Sequence, residues 1–85
     1  MPTIFVGSKP ATAYVIAALS AMNGDPRSCS VQARGRNISK AVDVVEILRQ
    51  RFAPGLKIDS ITIGTDTFEE DQRKVSKIAI DITNP

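Results

Sequence analysis

Three cations lie within seven residues around a glycine, immediately before and within an apolar, helix-like segment. They are Arg34, Arg36 and Lys40 in QARGRNISKAVDVVEILRQRF, residues 32–52. Guanidinium and ammonium groups so grouped bind polyanions, because they neutralise phosphates and donate hydrogen bonds to them. A fourth cation, Lys9, precedes another helix-like segment near the N-terminus. The same pattern also describes a solvated surface, so the cations alone leave both interpretations open.

Residue types for catalysis or metal binding are scarce. The chain has no histidine and a single cysteine, Cys29, whereas zinc sites use clusters of Cys and His and acid–base catalysis favours histidine. Glu69, Glu70 and Asp71 are adjacent, as in a solvated turn, and Cys29 is expected to pack as a small apolar side chain. GSKP and GRNISK lack the spacing of a nucleotide-binding loop. We therefore expect a protein that is not an enzyme and has no cofactor or metal.

Charge is distributed unevenly along the chain. Residues 27–57 carry seven cations and two acids, a net charge of +5, whereas residues 58–85 carry a net charge of −3. A basic central segment favours an anionic partner. No apolar run approaches the roughly 20 residues of a membrane span, and MPTIFVG lacks the features of a signal peptide. With a lone cysteine, these features predict a cytoplasmic protein without a membrane partner.

The first two elements are predicted from β-rich composition and from helix boundary signals. TIFVG, residues 3–7, indicates a strand that ends in glycine. Residues 10–22 indicate a helix, because Pro10 suits a first turn, Ser8 can cap it and Asn23-Gly24 stops it.

The rest of the chain contains a second strand, a second helix and a hairpin. Residues 28–34 alternate between apolar and polar side chains, and residues 38–52 follow as a helix with Asn37 as its cap. Residues 57–68 and 74–83 are β-rich runs separated by a short acidic segment, which indicates a β-hairpin. All 85 residues are expected to form one domain with the order βαβαββ.

This order predicts where the cations meet. Right-handed crossovers place the N-termini of both helices at the same edge of the sheet, where the helix dipoles are positive. Lys9, Arg34, Arg36 and Lys40 are then expected to converge on one face. The second helix also has an apolar arc of about 160°, wider than a core needs, which favours self-association. Its members are Ile38, Ala41, Val42, Val44, Val45, Leu48 and Phe52.

Three segments together resemble the archaeal Alba family of nucleic-acid-binding chromatin proteins. They are VGSKPATAYVIAAL, ARGRNISKAVDVVEILRQRF and ITIGT. The resemblance covers nearly the whole chain in the right order, and the segment A-R-G-R-x-I-S-K-A-V-D is its most specific part. It implies a two-layer α/β sandwich with a four-stranded mixed sheet, two helices and a protruding β-hairpin. It further implies a chromosome-associated homodimer that coats double-stranded DNA and also binds RNA.

The resemblance also assigns residues. Phe52 matches an aromatic contact between neighbouring dimers on a duplex, and the hairpin arms of the family reach along the minor groove. The nucleic-acid-binding surface of the family corresponds to Lys9, Arg34, Arg36 and Lys40.

The chain departs from the family pattern at two places. Many members have Lys-Lys where this chain has Ser8-Lys9, so Lys9 is the single side-chain cation before the first helix and the candidate for acetylation. The acidic hairpin tip opposes phosphate approach, which leaves Arg73 and Lys74 as the expected contacts of the arm.

The expected binding mode is phosphate contact with little base readout. Tyr14 is expected to be structural and the phenylalanines to pack, so few aromatic rings remain for base stacking, and a duplex fits better than a single strand. Two alternatives stay open: an RNA-directed ribonucleoprotein component, and an oligomerisation module whose cations are only solvated.

Overall fold

The computed structural model describes the whole chain, Met1–Pro85. Its elements are β1 (Thr3–Phe5), α1 (Ala11–Ala21), β2 (Ser28–Arg34), α2 (Ile38–Ile47), β3 (Lys57–Phe68) and β4 (Arg73–Thr83). A 3-10 turn, Gly35–Asn37, joins β2 to α2, and a π-helical turn, Leu48–Phe52, continues α2. The predicted order βαβαββ is confirmed, and the element boundaries agree closely with those expected from the sequence.

The four strands form one mixed sheet in the order β1-β2-β4-β3. β1 runs parallel to β2, whereas β4 pairs antiparallel with both β2 and β3. α1 packs against β1 and β2, and α2 packs against α1 and β2. The result is the expected two-layer sandwich, in which the helices cover one face of the sheet and leave the other face open.

The core lies between the helices and the inner strands. On β2 the side chains of Cys29, Val31 and Ala33 are buried, whereas Gln32 and Arg34 project from the open face, as the alternation of a strand requires. Cys29 is fully buried, and burial raises the pKa of its thiol to about 11, with a smaller contribution from Asp81. Its expected role as a small apolar core residue is confirmed.

Asn37 occupies the predicted N-cap position of α2, but neither helix has the side-chain cap that was expected. Neither Ser8 nor Asn37 donates or accepts a side-chain hydrogen bond at a helix start, and Pro10 occupies the N-cap position of α1. The 3-10 turn holds Asn37 at φ −85° and ψ −3°, outside the extended region from which a cap side chain reaches the helix. The Tyr14 hydroxyl instead holds the β1–α1 loop, accepting hydrogen bonds from the backbone N–H groups of Gly7 (2.9 Å) and Lys9 (3.2 Å). The structural role expected for Tyr14 is thus confirmed.

The hairpin of β3 and β4 is the longest feature of the molecule. The two strands are paired from Lys57 opposite Thr83 to Phe68 opposite Arg73. The molecule measures 42 × 23 × 17 Å, because the far half of the hairpin extends beyond the two helices. The acidic residues at the tip are exposed, as expected.

Candidate nucleic-acid interface

Lys40 connects the start of α2 to the β1–α1 loop. Its ammonium group donates hydrogen bonds to the carbonyl oxygens of Gly7 at 2.7 Å and Lys9 at 2.8 Å. These bonds hold Lys9 beside the first turn of α2, although the two residues are 31 positions apart. They also use two of the three N–H donors of Lys40, so its ammonium group retains its charge and one free donor.

Lys9 and Arg36 are the exposed cations at this edge. Lys9 lies in the loop before α1, and Arg36 lies in the 3-10 turn before α2. With Lys40 they form a surface that we call the basic edge, at the C-terminal ends of the parallel strands β1 and β2. The structure therefore brings together three of the four cations that the sequence analysis expected to converge.

Arg34 points elsewhere. Its side chain projects from the open face of the sheet, and its Nε atom lies 2.9 Å from Oδ2 of Asp66 on β3. The other carboxylate oxygen, Oδ1, accepts a hydrogen bond from Lys77 Nζ at 2.7 Å. This hydrogen bond is the main cause that lowers the pKa of Asp66 from its usual 3.8, and the charge of Arg34 adds to it.

Lys77 and Asp66 were missed by the sequence analysis. Gly64 lies opposite Lys77 in the register of β3 and β4, so Lys77 and Asp66 are diagonal neighbours on the open face. A Cβ atom at position 64 would lie 3.0 Å from Lys77 Cε, so the glycine lets the lysine stem lie across β3 toward Asp66. Only the pairing register of the hairpin reveals this contact, because eleven residues separate the two side chains along the chain.

Arg73 and Lys74 lie at the far end of the hairpin, where both are exposed. The Arg73 guanidinium carbon lies 5.0 Å from the centre of the Phe68 ring, within the range of a cation–π contact. The backbone N–H of Arg73 donates to the carboxylate of Asp71 at 3.1 Å. The two hairpin cations thus lie beside the acidic tip, just beyond Val75, which approaches the 3-10 turn at Gly35.

The expectation that the phenylalanines are packing residues is wrong for this chain on its own. Phe5 is 71% exposed, Phe52 57% and Phe68 37%, and none belongs to the core. Phe5 projects from the open face of the sheet, because it lies opposite Gln32 in the β1–β2 register. Phe52, at the end of the π-helical turn, is available for contact with another molecule.

No group of three or more Cys, Asp or Glu side chains is arranged to hold a metal ion. No helix is both long enough and apolar enough to cross a membrane. The fold and the cations together define a small α/β protein that presents a basic edge at its strand ends and an arm that carries further cations.

The chain belongs to the Alba family. The family model described as Alba matches residues 2–65, which include the basic edge and Arg34. Asp66, Lys77 and the hairpin tip lie outside the matched range.

Named relatives match over nearly the full length. The DNA/RNA-binding protein Alba 1 of Archaeoglobus fulgidus is 42% identical over 80 residues, which are 94% of this chain and 90% of the relative. The DNA/RNA-binding protein Alba of Thermoplasma volcanium is 40% identical over the same shares. The solved structure of Alba from Thermoplasma volcanium superposes with a TM-score of 0.87 and covers 95% of this chain and 98% of its own. ALBA1 from Trypanosoma brucei, 24% identical with a TM-score of 0.83 over 96% of this chain and 68% of its own, shares the fold.

Proposed function

We propose that this protein coats and compacts double-stranded DNA as a homodimer, through phosphate contacts that tolerate any sequence, and that it also binds RNA. The names of its archaeal relatives, DNA/RNA-binding protein Alba, support the class of ligand. Chromosome association follows from the same proposal. The residues proposed to contact nucleic acid are Lys9, Arg34, Arg36, Lys40, Arg73 and Lys74.

The observation that carries the proposal is the pair of hydrogen bonds from Lys40 to the β1–α1 loop. By these bonds the N-termini of α1 and α2 are held side by side, with Lys9 and Arg36 exposed next to them. Free backbone N–H groups and the positive ends of two helix dipoles then add to the side-chain charges. Such an array recognises the phosphate backbone and carries no base-specific information.

The proposed dimer uses an apolar surface that the helices leave uncovered. Ile61 and Ile63 lie opposite Ile80 and Ile78 in the hairpin register, and so on the helix-covered face of the sheet. They are nevertheless 59% and 78% exposed, because neither helix reaches the edge strand β3.

Val42 extends this surface onto α2. It is 42% exposed, and at about 100° per residue it lies on the side of the helix opposite Lys40, which contacts the β1–α1 loop. A second copy that packs against β3 and this side of α2 would bury both apolar areas. Phe52, also exposed, is proposed for a separate contact between dimers on DNA.

DNA binding is tested by anisotropy titration of two unrelated duplex sequences across a salt series. We expect equal affinities for both sequences, and a fall in log K with log salt of about 0.9 per phosphate neutralised. Arg36→Ala removes one contact per protomer and is expected to reduce the slope of the dimer by about 1.8.

Arg27→Ala is the matched control, since Arg27 is exposed just before β2, at the end of the strand opposite Arg34. It is expected to leave the slope unchanged. Equal losses in the two variants would show that net charge acts rather than the basic edge. Absence of binding to both duplexes by the wild type would favour the oligomerisation module whose cations are only solvated. Competition by duplex RNA in the same assay tests the RNA-directed alternative.

Dimerisation is tested separately by sedimentation of Ile61→Lys. This variant places a charge within the proposed interface, and we expect folded monomers. Ile16→Lys is the control, because Ile16 on α1 is 67% exposed and lies outside that surface. A dimer that persists in Ile61→Lys would place the interface elsewhere.

A further inference from the structure

A groove of about 670 Å³ crosses the open face of the sheet. We call it the sheet groove, and its size falls within the range of small-ligand sites. Residues from all four strands line it, among them Phe5, Arg34, Thr62, Gly64, Lys77 and Ala79. The small side chain of Ala79, opposite Gln32 in the register of β2 and β4, leaves room within the groove. None of the predicted duplex contacts except Arg34 belongs to the groove.

Phe5 gives the groove an aromatic wall. Single exposed apolar side chains are common on protein surfaces and by themselves indicate nothing. Phe5 differs because its ring, 71% exposed, lines a concave site that also contains two cations. From strand spacing, its backbone lies roughly 8 Å from that of Arg34, the distance of one strand across and two residues along. One nucleotide spans such a distance from its base to its phosphate.

The cationic end of the groove already holds an anionic group. The two oxygens of the Asp66 carboxylate lie 2.9 Å from Arg34 Nε and 2.7 Å from Lys77 Nζ, so the two cations converge on one anion as they would on a phosphate. The pair with Asp66 uses Nε of Arg34. The two Nη groups of the guanidinium remain available, and the Arg34 side chain is 63% exposed.

We infer that the sheet groove binds an unpaired nucleotide, with its base stacked on Phe5 and its phosphate held by Arg34 and Lys77. The inference rests on the proposed nucleic-acid-binding function and adds a second ligand class to it, the single strand. A duplex keeps its bases paired inside, so it offers no base face to Phe5. Arg34 serves either ligand, because the phosphate is common to both, whereas Phe5 distinguishes between them.

The test uses Phe5→Trp, since the chain contains no tryptophan and the new indole is the only one. Oligothymidylate and oligouridylate are titrated into the dimer, and stacking is expected to quench the indole fluorescence. An abasic oligonucleotide of equal length carries the same phosphates without bases and is expected to leave the fluorescence unchanged. Ile16→Trp, on a position 67% exposed on α1, is the matched control and is expected to show no quenching. Comparing the affinities for the two oligonucleotides shows whether the groove prefers single-stranded DNA or single-stranded RNA.

Phe5→Ala and Phe5→Leu measure the contribution of the ring. Loss of one stacked base is expected to weaken single-strand binding by about 5- to 150-fold in both variants, because leucine keeps apolar bulk but offers no aromatic face. Duplex affinity is expected to stay within about twofold of the wild type, which also shows that the variants are folded.

Three results would overturn the inference: unchanged single-strand affinity in both variants, equal weakening of single-strand and duplex binding, or quenching by the abasic strand. In each case retained duplex binding by the wild type leaves the proposed function standing. If the wild type binds neither ligand, the proposed function itself fails.

Discussion

Asp66→Asn is the most informative single substitution, because Asp66 neutralises part of the charge of Arg34, one of the proposed nucleic-acid contacts. Its carboxylate contacts both Arg34 and Lys77. The lowered pKa of Asp66 means that it is ionised at neutral pH. Asparagine has nearly the same shape, and its carbonyl oxygen can still accept a hydrogen bond from Lys77. Its NH2 group then faces Arg34 Nε, which is also a donor, so the substitution removes one negative charge and releases Arg34.

The expected change in salt dependence follows from the combined charge of Arg34, Asp66 and Lys77. Its net charge is +1 in the wild type and becomes +2 in Asp66→Asn, so each protomer can neutralise about one more phosphate. The salt slope for B-DNA should steepen by about 0.9 per protomer, or about 1.8 for the proposed dimer. Between 50 and 200 mM salt, the DNA affinity of the Asp66→Asn dimer should therefore fall by a factor about 12 times larger than the affinity of the wild type does. For single-stranded DNA the salt slope should steepen by less, about 0.7 per protomer.

The assay is the anisotropy titration across a salt series, with Asp25→Asn as the control. Asp25 is an exposed acid in the turn before β2, and its substitution makes the same change in net charge away from Arg34. Asp66→Asn should bind more tightly at low salt and show the steeper slope, whereas Asp25→Asn should show neither. An equal gain in the two variants would mean that net charge alone decides affinity. Weaker binding in Asp66→Asn would refute the reasoning and assign Asp66 the role of positioning Arg34.

The same substitution has an expected pH dependence in the free protein. Folding lowers the pKa of Asp66 below 3.8, so its stabilising contribution is fully present above that pH and is lost as the pH falls through the folded value. Thermal unfolding of wild type and Asp66→Asn should therefore differ most at neutral pH and converge as the pH falls through the lowered folded-state pKa of Asp66. A constant difference in Tm over this range would show that Asp66 contributes nothing through its charge.

Three further predictions concern single side chains. Lys9→Gln, a mimic of acetylation, should leave the proposed dimer intact and reduce its salt slope by about 1.8; an unchanged slope would remove Lys9 from the proposed binding surface. Phe52→Ala should remain a folded dimer in sedimentation, since the ring is 57% exposed, but should lose cooperative coating of DNA; unfolded monomers would contradict this. Cys29 should resist thiol reagents at neutral pH until the protein is unfolded by denaturant, because burial keeps the thiol protonated; rapid labelling of the native protein would be the contrary result.

The sequence by itself determined the element order and the location of the basic edge. Pro10 and the Asn-Gly pair marked the limits of α1, and the alternation in β2 identified which side chains face the core. These are local signals, since helix boundaries and strand alternation depend on residues a few positions apart. The right-handed crossover rule then placed Lys9 and Lys40 together, and their hydrogen bond confirms that placement.

The tertiary structure alone decided the direction of Arg34, the exposure of Phe5 and the contact between Lys77 and Asp66. Each depends on which strands are neighbours and on their register, and these pairings join residues that are distant in the sequence. Alternation shows that Arg34 faces away from the core, but not that β4 and β3 bring Lys77 and Asp66 to the same face. The cap prediction for Ser8 was wrong for a related reason: long-range contacts of Tyr14 and Lys40 hold the loop that Ser8 was expected to order. Local sequence supplies the side chains, whereas register across the sheet selects the partners that they meet.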